Sequence, residues 1–154
     1  MNKNKIASLI LLISILPVMV FFIPGCNSKS AEIQEKVQEV LNKEPAAVEE
    51  IIICKNIDSN FAPVNPTNVF PSGTIAVYLA VKYKNFTKED SLKAVWSYLE
   101  IGKEISTQEF TPEKFGSAYH SFNIKYAEGF PSGKYNVKVY FNGELLKTLE
   151  FTVQ

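Results

Sequence analysis

Apolar and polar residues alternate along most of the chain after residue 50, and a period of two is the pattern of strands that bury one face. In the clearest run, Val77, Leu79 and Val81 fall on one face and Lys82 falls on the other. Three prolines interrupt residues 58–73, which are predicted to form a loop. The pattern predicts seven strands, at residues 51–54, 74–84, 92–101, 104–110, 117–126, 134–141 and 145–153.

The segment before these strands has a different period. Ile33, Val37 and Leu41 are spaced as on one face of a helix. The segment is rich in glutamate, whereas a helix that lies in a membrane surface carries lysine on its polar face. We therefore expect residues 26–49 to contain a solvated spacer helix, and residues 50–154 to form one domain.

The beginning of the chain has the organisation of a targeting signal. Lys3 and Lys5 precede an uncharged apolar run at residues 6–23, and Pro24-Gly25-Cys26 follows at once. This arrangement resembles the lipobox of bacterial lipoprotein signal peptides. The resemblance implies that residues 1–25 are removed and that Cys26 becomes the lipidated first residue. The alternative is an uncleaved membrane helix, and both interpretations tether the domain outside the cytoplasmic membrane.

The spacing of the predicted strands also carries a resemblance. The strands are short, turn residues separate them, and a single tryptophan, Trp96, stands in the third within KAVWSYLEIGKEI. Residues 50–154 thereby resemble an immunoglobulin-like domain, which places a core tryptophan at this point. The implied fold class is all-β, an antiparallel immunoglobulin-like β-sandwich of about seven strands.

The tetrapeptide FPSG occurs twice, at residues 70–73 and 130–133. Each copy stands directly before a strand, with proline at the corner of a turn and glycine where a positive backbone angle is favoured. A phosphate-binding loop is followed by a helix, so that role is disfavoured. We predict a turn that leads into a strand, used twice, in front of the second and sixth strands of opposite sheets.

The last hairpin tests the alternation more closely. A two-residue turn at Asn142-Gly143 would place Val137 opposite Thr148 and would turn Leu149 to the solvent face. A three-residue loop brings both apolar sets to one side. The pattern therefore predicts a type I turn with Gly143 left-handed in a bulge.

The composition excludes several kinds of chemistry. All 16 basic residues are lysines, and the absence of arginine disfavours nucleic-acid recognition. His120 shares an apolar face with its neighbours, which favours a core or edge histidine over a catalytic base. Cys54 lies in an apolar run and is interpreted as a buried thiol. Glu89-Asp90 lacks the spacing of a calcium loop and is interpreted as a solvated turn. We expect no catalytic residue, no metal and no cofactor.

Aromatic residues are the remaining feature, with seven tyrosines, eleven phenylalanines and one tryptophan. The weak candidates for a binding surface are Tyr78, Tyr98, Tyr119 and Tyr140, placed on the outer faces of the sheets. Exposed tyrosines stack on sugars or anchor a protein partner, although they also fill the faces of sheets.

Together these features predict a lipid-anchored, extracytoplasmic and non-catalytic binding or accessory module. Its expected partners are the membrane, through the lipid on Cys26, and an envelope protein or polysaccharide, but no nucleic acid. One alternative is a glycan-binding surface module. A weaker alternative is a protease inhibitor in which residues 61–70 plug a cleft.

Overall fold

The computed structural model describes residues 44–154, so the predicted signal peptide, Cys26 and nearly all of the spacer helix lie outside the described residues. These described residues contain nine strands, and their bounds are β1 Ala47–Ile57, β2 Pro63–Pro66, β3 Val69–Phe70, β4 Ala76–Phe86, β5 Leu92–Tyr98, β6 Lys103–Phe110, β7 Gly116–Lys125, β8 Gly133–Phe141 and β9 Glu144–Val153. One 3-10 turn, Leu99–Ile101, follows β5. No helix within this part of the chain has the length and apolar character needed to cross a membrane.

The strands form two sheets. Sheet A has the order β2-β1-β4-β7, and sheet B has the order β3-β9-β8-β5-β6. All pairs are antiparallel except β3 with β9, which is parallel. The all-β immunoglobulin-like sandwich is confirmed, and all seven predicted strands are present. The two further strands, β2 and β3, lie in the segment that was predicted to be a loop.

The core consists of the residues that the alternation places inward. Trp96 is fully buried at the centre of β5, and Leu79 of sheet A and Val137 of sheet B are buried with it. Tyr135 stacks on Phe151, with ring centroids 5.0 Å apart. The core is therefore built from both sheets, and within sheet B its aromatic rings pack on each other.

Tyr135 provides a hallmark of the fold that the sequence pattern did not reveal. Its hydroxyl donates a hydrogen bond of 2.7 Å to the carbonyl of Pro131, four residues upstream. Burial raises the pKa of Tyr135 to about 12, so the hydroxyl keeps the proton that it donates. A tyrosine at the start of the sixth long strand that bonds back to the preceding corner is the tyrosine corner of immunoglobulin-like sandwiches.

The two FPSG segments are turns, as predicted. Gly73 has a φ of +83° before β4, and Gly133 has a φ of +145° at the start of β8. The two strands lie in opposite sheets. The segments also approach each other, because a Cβ on Gly129 would lie 3.0 Å from the Cα of Gly73. The two turns therefore meet at one end of the sandwich.

The predicted turn at the last hairpin was wrong. Asn142 and Gly143 both have positive φ, +50° and +85°, which is the two-residue primed turn that Asn-Gly favours. The register shifts beyond it instead, since Tyr140 pairs with Leu145 while Val139 pairs with Lys147. A bulge two pairs from the turn therefore supplies the extra residue that the prediction had assigned to the loop.

The bulge has the consequence that the alternation required. Val137 pairs with Leu149 and Tyr135 pairs with Phe151, so the apolar sets of both strands face the core. Leu145 precedes the bulge and is 54% exposed, although the alternation had placed it inward. The sequence correctly required both apolar sets to face the core, but it placed the extra residue in the turn, whereas the extra residue lies in the bulge.

Candidate functional site

One side of the sandwich is bounded by two consecutive strands that each pair with a single neighbour. Within residues 44–154, β6 is the last strand of sheet B and pairs only with β5, while β7 is the last strand of sheet A and pairs only with β4. We call this the open side, defined by β6 and β7. An edge strand presents unpaired backbone donors and acceptors, so this side is available for pairing with another chain.

The middle of the open side is closed by one side chain. The Nε2 of Gln108 donates to the carbonyl of Asn123 at 2.9 Å, and the N–H of Asn123 donates to Oε1 of Gln108 at 3.3 Å. The amide of Gln108 thereby makes the two hydrogen bonds that a neighbouring strand would make with Asn123. This bridge separates two cavities along the open side.

The first cavity, which we call the Tyr98 cavity, has a volume of about 460 Å³. Its walls come from both edge strands and from the second FPSG turn, and its lining consists of Tyr98, Lys103, Glu104, Ile105, Ser106, Asn123, Ile124, Lys125, Tyr126, Phe130, Pro131 and Tyr135. Tyr98 stacks on Tyr135 with ring centroids 4.7 Å apart, which makes one wall aromatic. The volume is within the range of about 300–1,000 Å³ that is usual for ligand sites.

The polar atoms of the aromatic wall are already bonded. The hydroxyl of Tyr98 donates to the carbonyl of Ser132 at 2.9 Å, and that of Tyr135 donates to Pro131. Their rings therefore contribute apolar faces to the cavity. Ile105 and Tyr126 are 40% and 48% exposed at its rim, which extends the apolar surface outward.

The charges of the Tyr98 cavity are unevenly balanced. The charged residues of its lining are Lys103 of β6, Lys125 of β7 and Glu104 of β6. That carboxylate accepts a hydrogen bond of 2.6 Å from the hydroxyl of Thr107. The ion pairs found between described residues lie elsewhere, on Lys82 and Lys84. The cavity therefore presents an excess of positive charge.

The second cavity, which we call the Phe61 cavity, has a volume of about 530 Å³. It is lined by Ser59, Asn60, Phe61, Tyr83, Phe110, Ala118, Tyr119 and His120. Phe61 is half exposed and has a φ of +63°, a left-handed conformation that is rare for a bulky residue. The carboxylate of Asp58 holds this loop by accepting hydrogen bonds from the N–H groups of Asn60 and Ala62.

His120 lies in this second region and is enclosed by aromatic rings. Its ring stacks on Phe110 at 3.7 Å and contacts Phe122 edge-on at 4.7 Å. Burial lowers the pKa of His120 to about 4, so the imidazole is neutral at pH 7. The environment matches the interpretation of a core or edge histidine, since the stacked ring joins the two edge strands.

The four candidate tyrosines do not form one surface. Tyr78 and Tyr119 lie on sheet A, and Tyr98 and Tyr140 lie on sheet B. The outer-face placement of Tyr98 was wrong, because Tyr98 pairs with the buried Tyr135 and shares its core-facing side. The sequence did contain a signal for the core-facing side, because Tyr98 stands two residues after Trp96 and alternate residues of a strand share a face.

The other tyrosines have local partners. The hydroxyl of Tyr119 donates to the carboxylate of Glu50 at 2.5 Å, and this hydrogen bond raises the pKa of Tyr119. The ring of Tyr140 lies 4.8 Å from Nζ of Lys93. Of the four, Tyr98 and Tyr119 border cavities of the open side, one at each cavity.

The structure also shows the surroundings of Cys54 and Asp90, two further residues considered in the sequence. Cys54 is a free and fully buried thiol, as interpreted, and burial raises its pKa. The carboxylate of Asp90 accepts hydrogen bonds from the backbone and hydroxyl of Thr87 and from the side chain of Asn142. Burial alone would raise the pKa of Asp90, but these hydrogen bonds outweigh it and lower the pKa. Among residues 44–154, no cluster of three or more histidine, cysteine or acidic side chains is arranged to hold a metal ion.

No protein-family model and no curated protein matches this sequence. Among solved structures, an immunoglobulin-like protein from Pseudomonas aeruginosa is 13% identical, with a TM-score of 0.49 over 73% of this chain and 99% of that one. The sensor domain of an anti-sigma factor from Pseudobacteroides cellulosolvens is 19% identical, with a TM-score of 0.39 over 70% of this chain and 89% of that one.

An alkylpurine DNA glycosylase from Pseudomonas fluorescens is 13% identical, with a TM-score of 0.44; the match spans 77% of this chain and only 33% of the glycosylase. The immunoglobulin-like assignment of this chain rests on its own two sheets, its buried Trp96 and the hydrogen bond of Tyr135 to Pro131.

Proposed function

We propose that this protein is a lipid-anchored, extracytoplasmic binding or accessory module that engages a protein partner at the cell envelope and catalyses no reaction. The lipid on Cys26 holds it at the membrane, as the resemblance to a lipobox implies. The segment between Cys26 and β1 serves as the spacer that the sequence predicts between the lipid and the sandwich. The domain then acts by presenting a rigid surface to its partner.

The open side is the observation that carries this proposal. Two strands of eight and ten residues lie there with one partner each, and two partly apolar cavities adjoin them. Exposed strand edges serve proteins as sites of backbone pairing, and adjoining pockets select the side chains of the partner. Natural domains usually cover or shorten such edges, so long uncovered strands favour recognition as their role.

The alternatives receive less support. A glycan-binding face would need exposed aromatic rings grouped together, but Trp96 is fully buried and the four candidate tyrosines are divided between two sheets. A protease-inhibiting loop at residues 61–70 would project from the domain. Much of this segment is instead paired, because β2 pairs with β1 and β3 pairs with β9.

The test is crosslinking of the full-length protein in its native membrane, followed by affinity purification and mass spectrometry. A discrete crosslinked protein is expected. A polysaccharide smear without any protein would overturn the proposal in favour of the glycan-binding alternative.

The anchor is tested separately by metabolic labelling with an alkyne-bearing palmitate. Wild-type protein should incorporate the label and fractionate with membranes, whereas Cys26→Ser should lose both properties. Cys54→Ser is the matched control, because Cys54 is buried in the domain and should leave labelling unchanged. Labelling that persists in Cys26→Ser would contradict the anchor.

A further inference from the structure

The edge of β7 keeps one outward-facing ladder position at the Tyr98 cavity. Gln108 satisfies the outward N–H and carbonyl of Asn123. In an antiparallel ladder every second residue points its backbone groups to the same side, so those of Lys125 point outward as well. Lys125 belongs to the lining of the Tyr98 cavity. An extended peptide laid along the cavity would therefore meet a free ladder position.

The side chains of such a peptide would alternate between two environments. One set would face the cavity wall, where Tyr98 and Tyr135 contribute ring faces and Ile124 is buried. Both tyrosine hydroxyls are bonded internally, so this wall accepts apolar side chains better than polar ones.

The other set would meet the charged rim. Lys103 and Lys125 stand on opposite walls, and the one carboxylate of the lining, Glu104, bonds to Thr107. The rim therefore complements acidic side chains.

Building on the proposed function, we propose that the Tyr98 cavity binds an extended segment of the protein partner in which apolar and acidic residues alternate, added as a strand to the edge of β7. Its backbone bonds to the edge at Lys125, its apolar residues pack on Tyr98 and Tyr135, and its acidic residues pair with Lys103 and Lys125. An acidic polysaccharide shares the charge but lacks the backbone N–H and carbonyl groups that match a strand edge.

The direct test uses a fluorescent peptide of about seven residues in which valine and glutamate alternate. Binding to the full-length protein in detergent is measured by fluorescence anisotropy, and a peptide with lysine in place of glutamate is the comparison. The acidic peptide should bind about tenfold more tightly or better. Equal affinity for the two peptides would overturn the proposal.

Charge reversal locates the site. Lys103→Glu combined with Lys125→Glu should weaken the acidic peptide about tenfold and should strengthen the lysine peptide, which loss of folding cannot do. Lys138→Glu is the matched control, because Lys138 is equally exposed but lies on β8 away from the cavity. If the double variant and Lys138→Glu bind both peptides alike, the Tyr98 cavity is not the site.

Backbone methylation tests strand addition. A peptide that pairs with one edge uses only every second amide, so N-methylation of one alternating set should abolish binding while methylation of the other set is tolerated. Tolerance of both sets would overturn strand addition. Binding of polygalacturonic acid without binding of the acidic peptide would overturn the proposal in favour of a glycan ligand.

The proposed function and this site fail in distinguishable ways. If wild-type protein crosslinks a partner in its native membrane and the double variant crosslinks it equally well, the proposed function stands and this site is wrong. If wild-type protein crosslinks no protein, the proposed function fails, whatever the peptide affinities.

Discussion

The two sides of the sandwich solve the problem of exposed strand edges differently. On one side, residues 63–70 pair first with β1 of sheet A, through Pro63–Pro66, and then with β9 of sheet B, through Val69–Phe70. We call this the closed side, defined by β2 and β3. On the open side, no segment of residues 44–154 pairs with the outer edges of β6 and β7 in this way, and the side chain of Gln108 bridges the two strands.

The two sides differ in the length of their edge strands and in the prolines that these strands contain. The closed side ends in strands of four and two residues, and prolines, which lack a backbone donor, stand at both ends of β2. Short edges with proline resist pairing with other chains. The open side keeps long edges with complete backbone donors, which is a hazard unless a partner uses them. The closed side therefore serves stability, and the open side is available for recognition.

The largest expected effect is on the closed side. Phe70 is 1% exposed and packs edge-on against Phe151 with ring centroids 5.6 Å apart. Phe70→Ala should lower the free energy of unfolding by about 3–5 kcal/mol, because it empties part of the core. Urea denaturation of the full-length protein followed by tryptophan fluorescence measures this. Val69→Ala is the control, since Val69 is 45% exposed one position earlier and should cost about 0.5 kcal/mol or less. Similar losses in both variants would mean that β3 does not close the core.

The second prediction concerns pH and the open side. The pKa of His120 is lowered from 6.5 to about 4 in the folded protein, so the unfolded chain binds a proton between these values that the folded chain does not. The contribution of the neutral His120 to the free energy of unfolding is therefore fully present above pH 6.5 and decreases as the pH falls toward 4. Below pH 4 His120 causes no further loss of stability. The urea midpoint of the wild type should fall across this window.

His120→Phe is the variant that isolates this effect, because it keeps a ring against Phe110 and cannot titrate. Its urea midpoint should change much less between pH 6.5 and pH 4.5. The lowered pKa of Asp90 gives a stabilising contribution that is present above its ordinary pKa of 3.8 and is lost as the pH falls below that value, outside the range from pH 6.5 to pH 4.5. Parallel curves for wild type and His120→Phe would show that His120 is not buried as described.

A smaller loss is expected at the bridge. Gln108→Ala removes both hydrogen bonds to Asn123, which should cost about 1 kcal/mol and should speed hydrogen exchange at the amide of Asn123. Glu109→Ala is the control, because Glu109 is exposed next in sequence. If the exchange rate of Asn123 is unchanged in Gln108→Ala, the bridge does not protect this edge.

The sequence predicted the long strands well because each buries large residues at every second position. Val77, Leu79 and Val81 are fully buried, as the alternation required. β2 was missed because it is short and carries proline at both ends, and β3 was missed because it has two residues and its pairing partner, β9, is distant in sequence, which local propensity does not report. The turn at Asn142-Gly143 was missed because alternation fixes the parity of a hairpin but not where a bulge restores it.

The candidate site was harder to predict for a related reason. Alternation gives the face of each residue but not the lateral order of strands, so nothing identified β6 and β7 as neighbouring edges. Ile105, an exposed apolar residue between the polar Glu104 and Ser106 in β6, was the available signal. The charged rim could not be derived, because Lys103 and Lys125 are 22 positions apart in the sequence and meet only through the fold.

The smallest expected effect has the opposite sign and compares the two sides directly. Phe61 at the open side and Asn65 at the closed side both have a left-handed backbone, with φ of +63° and +52°. Asparagine tolerates this conformation, whereas phenylalanine is strained in it. Phe61→Asn should therefore raise the free energy of unfolding slightly, by up to about 1 kcal/mol, since the half-exposed ring contributes little burial.

Asn65→Ala is the paired measurement and should lower stability, because alanine is disfavoured at a positive φ. Urea midpoints of both variants decide the outcome. If Phe61→Asn is more stable than the wild type, the ring of Phe61 does not serve the stability of the domain. The strained backbone at Phe61 would then be explained by contact of its ring with a binding partner. A destabilised Phe61→Asn would instead assign the ring of Phe61 to the packing of the Phe61 cavity, and the open side would then be covered more than its two edge strands alone indicate.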